Sequence, residues 1–174
     1  MKKILSLTLA MLMLFALVAC GGASKEVSLV DVTTEQGITL KLPSDLVLQT
    51  VQGQVTYTNS DTGDNAVFAV SPVGDTPLSS YTEENVLATF QKNSPDVAIT
   101  SFKNGLTING SEALEANMTL TSSKGKPVTM AFVMVTDGTT DYIANFTYGT
   151  DNKDGSLATN LQACIDSITI PAAK

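Results

Sequence analysis

The chain has 174 residues, with ten Lys, no Arg, seventeen acids, no His and no Trp; 43% of it is apolar, the composition of one globular domain rather than a disordered tail. Its formal charge of −7 repels phosphate and anionic head groups, and without Arg it lacks the bidentate clamp those groups favour, so nucleic acid is set aside as a partner. The absence of His removes the commonest general base and the imidazole metal ligand, so most hydrolase triads and zinc sites cannot be built. Met1 to Cys20 opens on Lys2 and Lys3, runs apolar from Ile4 to Val18 and ends on small residues, the layout of a secretory signal. A membrane span fits less well, because Ile4 to Cys20 is only seventeen residues long and includes Ser6 and Thr8.

The end of this segment, Leu17-Val18-Ala19-Cys20 followed by Gly21-Gly22, resembles the lipobox of bacterial lipoproteins. The resemblance implies a lipoprotein signal peptide over residues 1–19, a lipidated Cys20 as the new first residue, and a flexible linker to residue 26. Sulfur is the one strong nucleophile available there, and two or more acyl chains at about 0.8 kcal/mol per buried CH2 hold a protein stably on a bilayer. A conventional signal that leaves Cys20 as an ordinary thiol is the alternative. Removal of residues 1–19 leaves eight of the ten Lys against seventeen acids, a charge of −9. Acylation also takes Cys20 out of any disulfide. Cys164 is then alone, in a stretch where Leu157, Leu161, Cys164, Ile165 and Ile168 recur at helical spacing, which points to a small buried hydrophobe; the alternative, a reactive thiol, would need positive charge nearby.

A single domain is expected over residues 27–170, with a short tail at 171–174. Ile38, Leu40 and Leu42 alternate with polar residues and stop at Pro43-Ser44-Asp45, the pattern of a half-buried strand and a turn. Val55 to Asn59 and Ala66 to Val70 flank Asp61-Thr62-Gly63-Asp64 as a hairpin. A first helix is predicted from a capping box at Ser80-Tyr81-Thr82-Glu83, with Val86, Leu87 and Phe90 as its apolar stripe and Pro95 as its limit. Val97 to Phe102 and Leu106 to Ile108 read as strands parted by an Asn104-Gly105 turn, with Asn109-Gly110 turning into the next strand. Ala113 to Thr121 places Leu114, Ala116, Met118 and Leu120 on one face and Glu115, Asn117 and Thr119 on the other. Val128 to Val135 is apolar on both faces, and Asp137-Gly138 turns it into Tyr142 to Tyr148. The second helix runs from about Gly155 or Ser156 to Ser167, capped by Asp154 or Ser156. Hairpins without long crossovers require an antiparallel sheet, and a strand apolar on both faces requires cover on both. The fold class is therefore α+β: a mainly antiparallel sheet sandwiched by helices, the second helix on one face and the first, aided by Leu46 to Val51, on the other.

This order of elements is similar to the PsbP-like superfamily, which includes Mog-type Ran-binding proteins and DcrB-like envelope lipoproteins. Gly37 to Asp45 resembles the opening strand and its Leu-Pro turn, Ile108 to Ala113 the mid-domain turn, and Ile165 to Ile168 the end of the closing helix. Leu46 stands where the family often has Trp a little after the Pro. The resemblance implies an α/β/α sandwich, members that hold partners, and no shared enzyme chemistry. It carries over no binding residue.

The residues that could carry chemistry also suit turn and surface roles. The acids Asp61, Asp64, Asp137, Asp141, Asp151 and Asp154 could supply oxygen ligands to calcium, but their spacing is that of ordinary turns, and Gln162 replaces the bidentate Glu of an EF-hand. Ser123-Lys124-Gly125-Lys126 matches S-x-x-K without its companion motifs. Glu83 and Glu84 complement a helix dipole. No nucleotide motif is present, and the expectation is no enzyme, no cofactor and no metal site. The function expected is that of a non-catalytic binding or accessory module at the extracytoplasmic face of a bacterial membrane, lipid-anchored at Cys20 and meeting an envelope protein through a sheet edge or the acidic loops. A carrier of a small apolar or lipid-like ligand is the competing expectation, and an enzyme of unfamiliar type the third.

Overall fold

The computed structural model describes residues 27–51 and 54–172. The expected signal peptide, Cys20, its linker and the last two residues of the tail lie outside the described residues.

The chain begins with a small antiparallel hairpin, β1 (Leu29–Thr33) against β2 (Thr39–Pro43), which forms a two-stranded sheet of its own. Gly37 in its turn has φ +80°, and a Cβ there would lie 2.8 Å from the ring of Pro171, so only glycine fits. The remaining strands make one antiparallel sheet: β3 (Val47–Val51), β4 (Gln54–Thr58), β5 (Asn65–Pro72), β6 (Ala98–Ile108), β7 (Ser111–Thr121), β8 (Pro127–Thr136) and β9 (Thr140–Gly149). Their order across it is β3-β4-β5-β9-β8-β7-β6, so β3 and β6 are the edges. A 3-10 turn at Leu78–Ser80 and helix α1 (Glu83–Gln91) connect β5 to β6, and helix α2 (Ser156–Asp166) follows β9.

The two faces of β8 sort as their sequence predicts. Ala131, Val133 and Val135 join a core with Tyr57, Phe68 and Phe146, covered by Ile38, by Leu40 and Leu42 of β2 and by Leu157, Cys164 and Ile165 of α2. Met130, Phe132 and Met134 join the opposite core with Leu114 and Met118, covered by Val86 and Phe90 of α1 and by Leu78. Phe90 meets Phe132 edge-on at 5.3 Å between ring centres. Each large side chain so buried contributes about 1.5–3 kcal/mol. The α+β sandwich expected from the sequence is the observed architecture, with one helix on each face.

Four local expectations are corrected. Helix α1 is capped by Thr82, not Ser80: the Thr82 hydroxyl accepts from the Asn85 amide at 3.3 Å and the Asn85 side chain accepts from the Thr82 amide at 2.9 Å. A Thr-x-x-Asn box displaces the Ser-x-x-Glu box because Ser80 is already held in the 3-10 turn. Helix α2 has Gly155 at its N-cap with no side-chain capping bond, because Ser156 spends its hydroxyl on Asp45. Asn104-Gly105 is not a turn but part of a bulge within a single long β6, where the pairing steps from Lys103 opposite Glu115 to Leu106 opposite Ala113. Finally, residues 47–51 are a strand of the sheet rather than part of its cover; only Leu46 packs into the core beneath it.

Candidate functional site

Strand β3 is held at its start by a set of polar contacts between three connections. The Asp45 carboxylate, in the turn from β2 to β3, accepts from the Ser156 hydroxyl at 2.9 and 2.7 Å and from the Asn59 amide at 2.9 Å. Gln49 of β3 donates to the Ser60 hydroxyl at 3.0 Å. One step further in, Asn152 donates to both oxygens of Asp64, which is fully buried. Burial raises the Asp64 pKa above the ordinary 3.8; hydrogen bonds from Asn152, Thr62 and the Gly149 backbone oppose the rise, and the charge of Asp45 adds to it. The β4–β5 loop, the β9–α2 loop and the start of β3 are thereby fastened together at one end of the sheet.

The acids singled out by sequence divide between the two ends. Asp61, Asp151 and Asp154 are exposed on the two loops that Asp64 and Asn152 join, with Lys153 among them. Asp137 and Asp141 belong to the far end, at the β8–β9 turn. There the Asp137 carboxylate accepts from the backbone and hydroxyl of Thr139 and from the Thr140 amide, which holds its pKa below the usual range. Burial raises that of Asp141. Among the described residues no three His, Cys, Asp or Glu side chains are placed to hold a metal ion.

The other candidates are scattered. Ser123 lies in the β7–β8 turn, where Gly125 closes back on Ser122. Glu83 and Glu84 are exposed in the first turn of α1. Cys164 faces the core, and burial pushes its thiol pKa up to about 11, leaving it protonated at neutral pH. Glu115, which alternation placed on a polar face, is buried; it accepts from Asn117 at 2.7 Å and from Lys103 at 3.4 Å.

What remains conspicuous is the contrast between the two edges. Strand β6 is interrupted by two register shifts and carries Lys103, features that keep foreign strands away. Strand β3 has neither: it pairs with β4 without a shift from Val47 opposite Thr58 to Val51 opposite Gln54, and it contains no charge and no Pro. Val47 and Leu48 are 58% and 56% exposed. Among the described residues its other side is unpaired. The run Val-Leu-Gln-Thr-Val is rich in β-branched residues, which is the signal that marks it as a strand.

Comparison with solved structures settles the fold. The solution structure of the cyanobacterial PsbP of Synechocystis sp. PCC 6803, CyanoP, superposes with a TM-score of 0.61 over 89% of this chain and 99% of that one, at 14% identity. The fold is PsbP-like. LpqN of Mycobacterium tuberculosis, described as involved in cell envelope biogenesis, matches with a TM-score of 0.54 at 18% identity over 84% of this chain and 93% of its own. PA94 of Pseudomonas aeruginosa, a protein of unknown function, matches with a TM-score of 0.53 at 14% identity over 84% and 99%. No family model and no curated protein matches the sequence. At these identities the PsbP-like likeness is one of architecture, and it transfers no partner. Among the described residues no helix is long and apolar enough to cross a membrane.

Proposed function

We propose that this protein is a lipid-anchored accessory module at the extracytoplasmic face of a bacterial membrane, which works by holding a protein partner rather than by catalysis. The observation that carries the reading is the open edge of β3, uncharged and unbulged, with Val47 and Leu48 exposed and its start held by Asp45. Exposed apolar strand edges are costly in solution, and a protein that keeps one uses it for pairing. Leu17-Val18-Ala19-Cys20 supplies the address. The PsbP-like architecture, shared with a protein of mycobacterial envelope biogenesis, is consistent with such a role.

The test is fractionation of cells fed a labelled fatty acid, with the natural chain beside Cys20→Ser. The natural chain is expected in the membrane fraction and labelled, and the variant in the soluble extracytoplasmic fraction and unlabelled. Label retained by Cys20→Ser would show the address to be wrong. Chemical crosslinking in the same cells is expected to give a discrete protein adduct; a membrane-bound chain that yields only a co-purified small molecule would favour the carrier instead.

A further inference from the structure

The edge of β3 and the charge around it define the kind of partner it fits. We propose that β3 receives an extended, basic segment of another protein, added as an antiparallel strand with its Lys or Arg residues against the acidic loops. This deepens the functional reading above and rests on it. Four observations lead to it.

The first is that the sheet is antiparallel throughout and its register reaches β3 without interruption, so an eighth strand would continue a ladder of seven. The second is the side-chain row that arrives at the edge. Leu48 lies opposite Tyr57, Tyr57 opposite Ala66 and Ala66 opposite Phe146, so an apolar residue placed beside Leu48 extends the face of a core. On the other face Val47 offers a second apolar contact.

The third observation is polarity along the strand. Val47 follows directly on Asp45 and Leu46, and the bonds from Asp45 to Asn59 and Ser156 bring the loops bearing Asp61, Asp151 and Asp154 to that end. An antiparallel newcomer has its C-terminal end there. The matching segment is therefore a short apolar or β-branched run followed by Lys or Arg. The fourth observation excludes a second copy as the occupant. Residues 44–54 of this chain contain Asp45 and no Lys, so self-pairing would supply no cation and would oppose two bodies of net negative charge.

The experiment uses the full chain in intact cells, with a photo-crosslinking benzoylphenylalanine in place of exposed Thr50 on β3 or of exposed Thr107 on β6. A protein adduct is expected from position 50 and not from position 107, and the crosslinked peptide should carry Lys or Arg just after its apolar run. Leu48→Lys, and separately Asp151→Lys with Asp154→Lys, should each lower the adduct yield about tenfold with the melting temperature unchanged. Equal yields at 50 and 107, an adduct with a second copy, or a captured segment without Lys or Arg would overturn the assignment of the edge while leaving a binding module in place. A membrane-bound chain giving no protein adduct from any exposed position would overturn the binding module itself.

Discussion

Asn152 donates to both carboxylate oxygens of Asp64, at 3.2 and 3.0 Å, across 88 residues of sequence. The pair closes the β9–α2 loop onto the β4–β5 loop without any cation, so Asp64 is a buried acid held by neutral donors. Its raised pKa means that the folded state binds a proton more readily than the unfolded one. The stability linked to Asp64 is therefore greatest in acid and is lost as pH rises from the ordinary value of 3.8 through the raised one. Urea titrations of the natural chain and Asp64→Asn should show the natural chain gaining relative to the variant as pH falls from neutral toward 3.8. A difference that stays constant with pH would contradict this.

Asn109 works as a clamp at the opposite end of α2. It sits in the Asn-Gly turn between β6 and β7 with φ 47°, and its side-chain amide donates to the Asp166 and Ile168 carbonyls at 3.1 and 2.8 Å. Asn109→Gly keeps the backbone easy and removes only the clamp, so it should cost about 1–2 kcal/mol in chemical denaturation. Asn109→Asp should cost more, because a carboxylate would face two carbonyl oxygens.

Asn104 has a more local task. From the bulge of β6 it donates to the carbonyls of Leu78 and Tyr81 at 3.1 and 2.8 Å, fixing the 3-10 turn against the sheet. Asn104→Ala should speed amide hydrogen exchange around residues 78–82, where the chain would open locally, while the exchange of β8 stays as slow as before. Uniform acceleration across the sheet would show that the contact supports the whole fold instead.

Cys164 should resist thiol reagents at neutral pH until the protein unfolds, since its thiol is buried and its pKa is about 11. Between the ordinary value of 9.0 and about 11 the unfolded chain loses its proton first, so stability should fall as pH rises through that window. Cys164→Ser should cost about 1–3 kcal/mol by burying a hydroxyl, and Cys164→Ala less, as thermal melts would record.

The architecture was legible because its signals were periodic. The two apolar faces of Val128 to Val135 demanded two layers of cover, and the two helices were expected, and are found, on opposite faces. What escaped were features decided by contacts distant in sequence. Ser156 fitted a cap by spacing, but Asp45, 111 residues away, takes its hydroxyl. Asn104-Gly105 has the composition of a turn, and only pairing with β7 shows that the chain passes straight through it. Alternation placed Glu115 on a polar face, whereas it is buried, with half-exposed Lys103 and half-buried Asn117 reaching its carboxylate from the surface. The edge of β3 was the least visible, because five residues without alternation do not declare which side of a sheet they will close. A sheet edge was one of two surfaces expected to meet a partner, and which strands form the edges depended on the strand order.

The two register shifts in β6 also govern what happens when many of these molecules share one surface. A sheet that could be joined on both flanks would hand growth from neighbour to neighbour and lengthen into a fibre. Here one flank is spoiled for templating, so any strand accepted at the opposite flank ends the series. Crowding should therefore leave each molecule with at most one added strand and a bounded stoichiometry, not filaments.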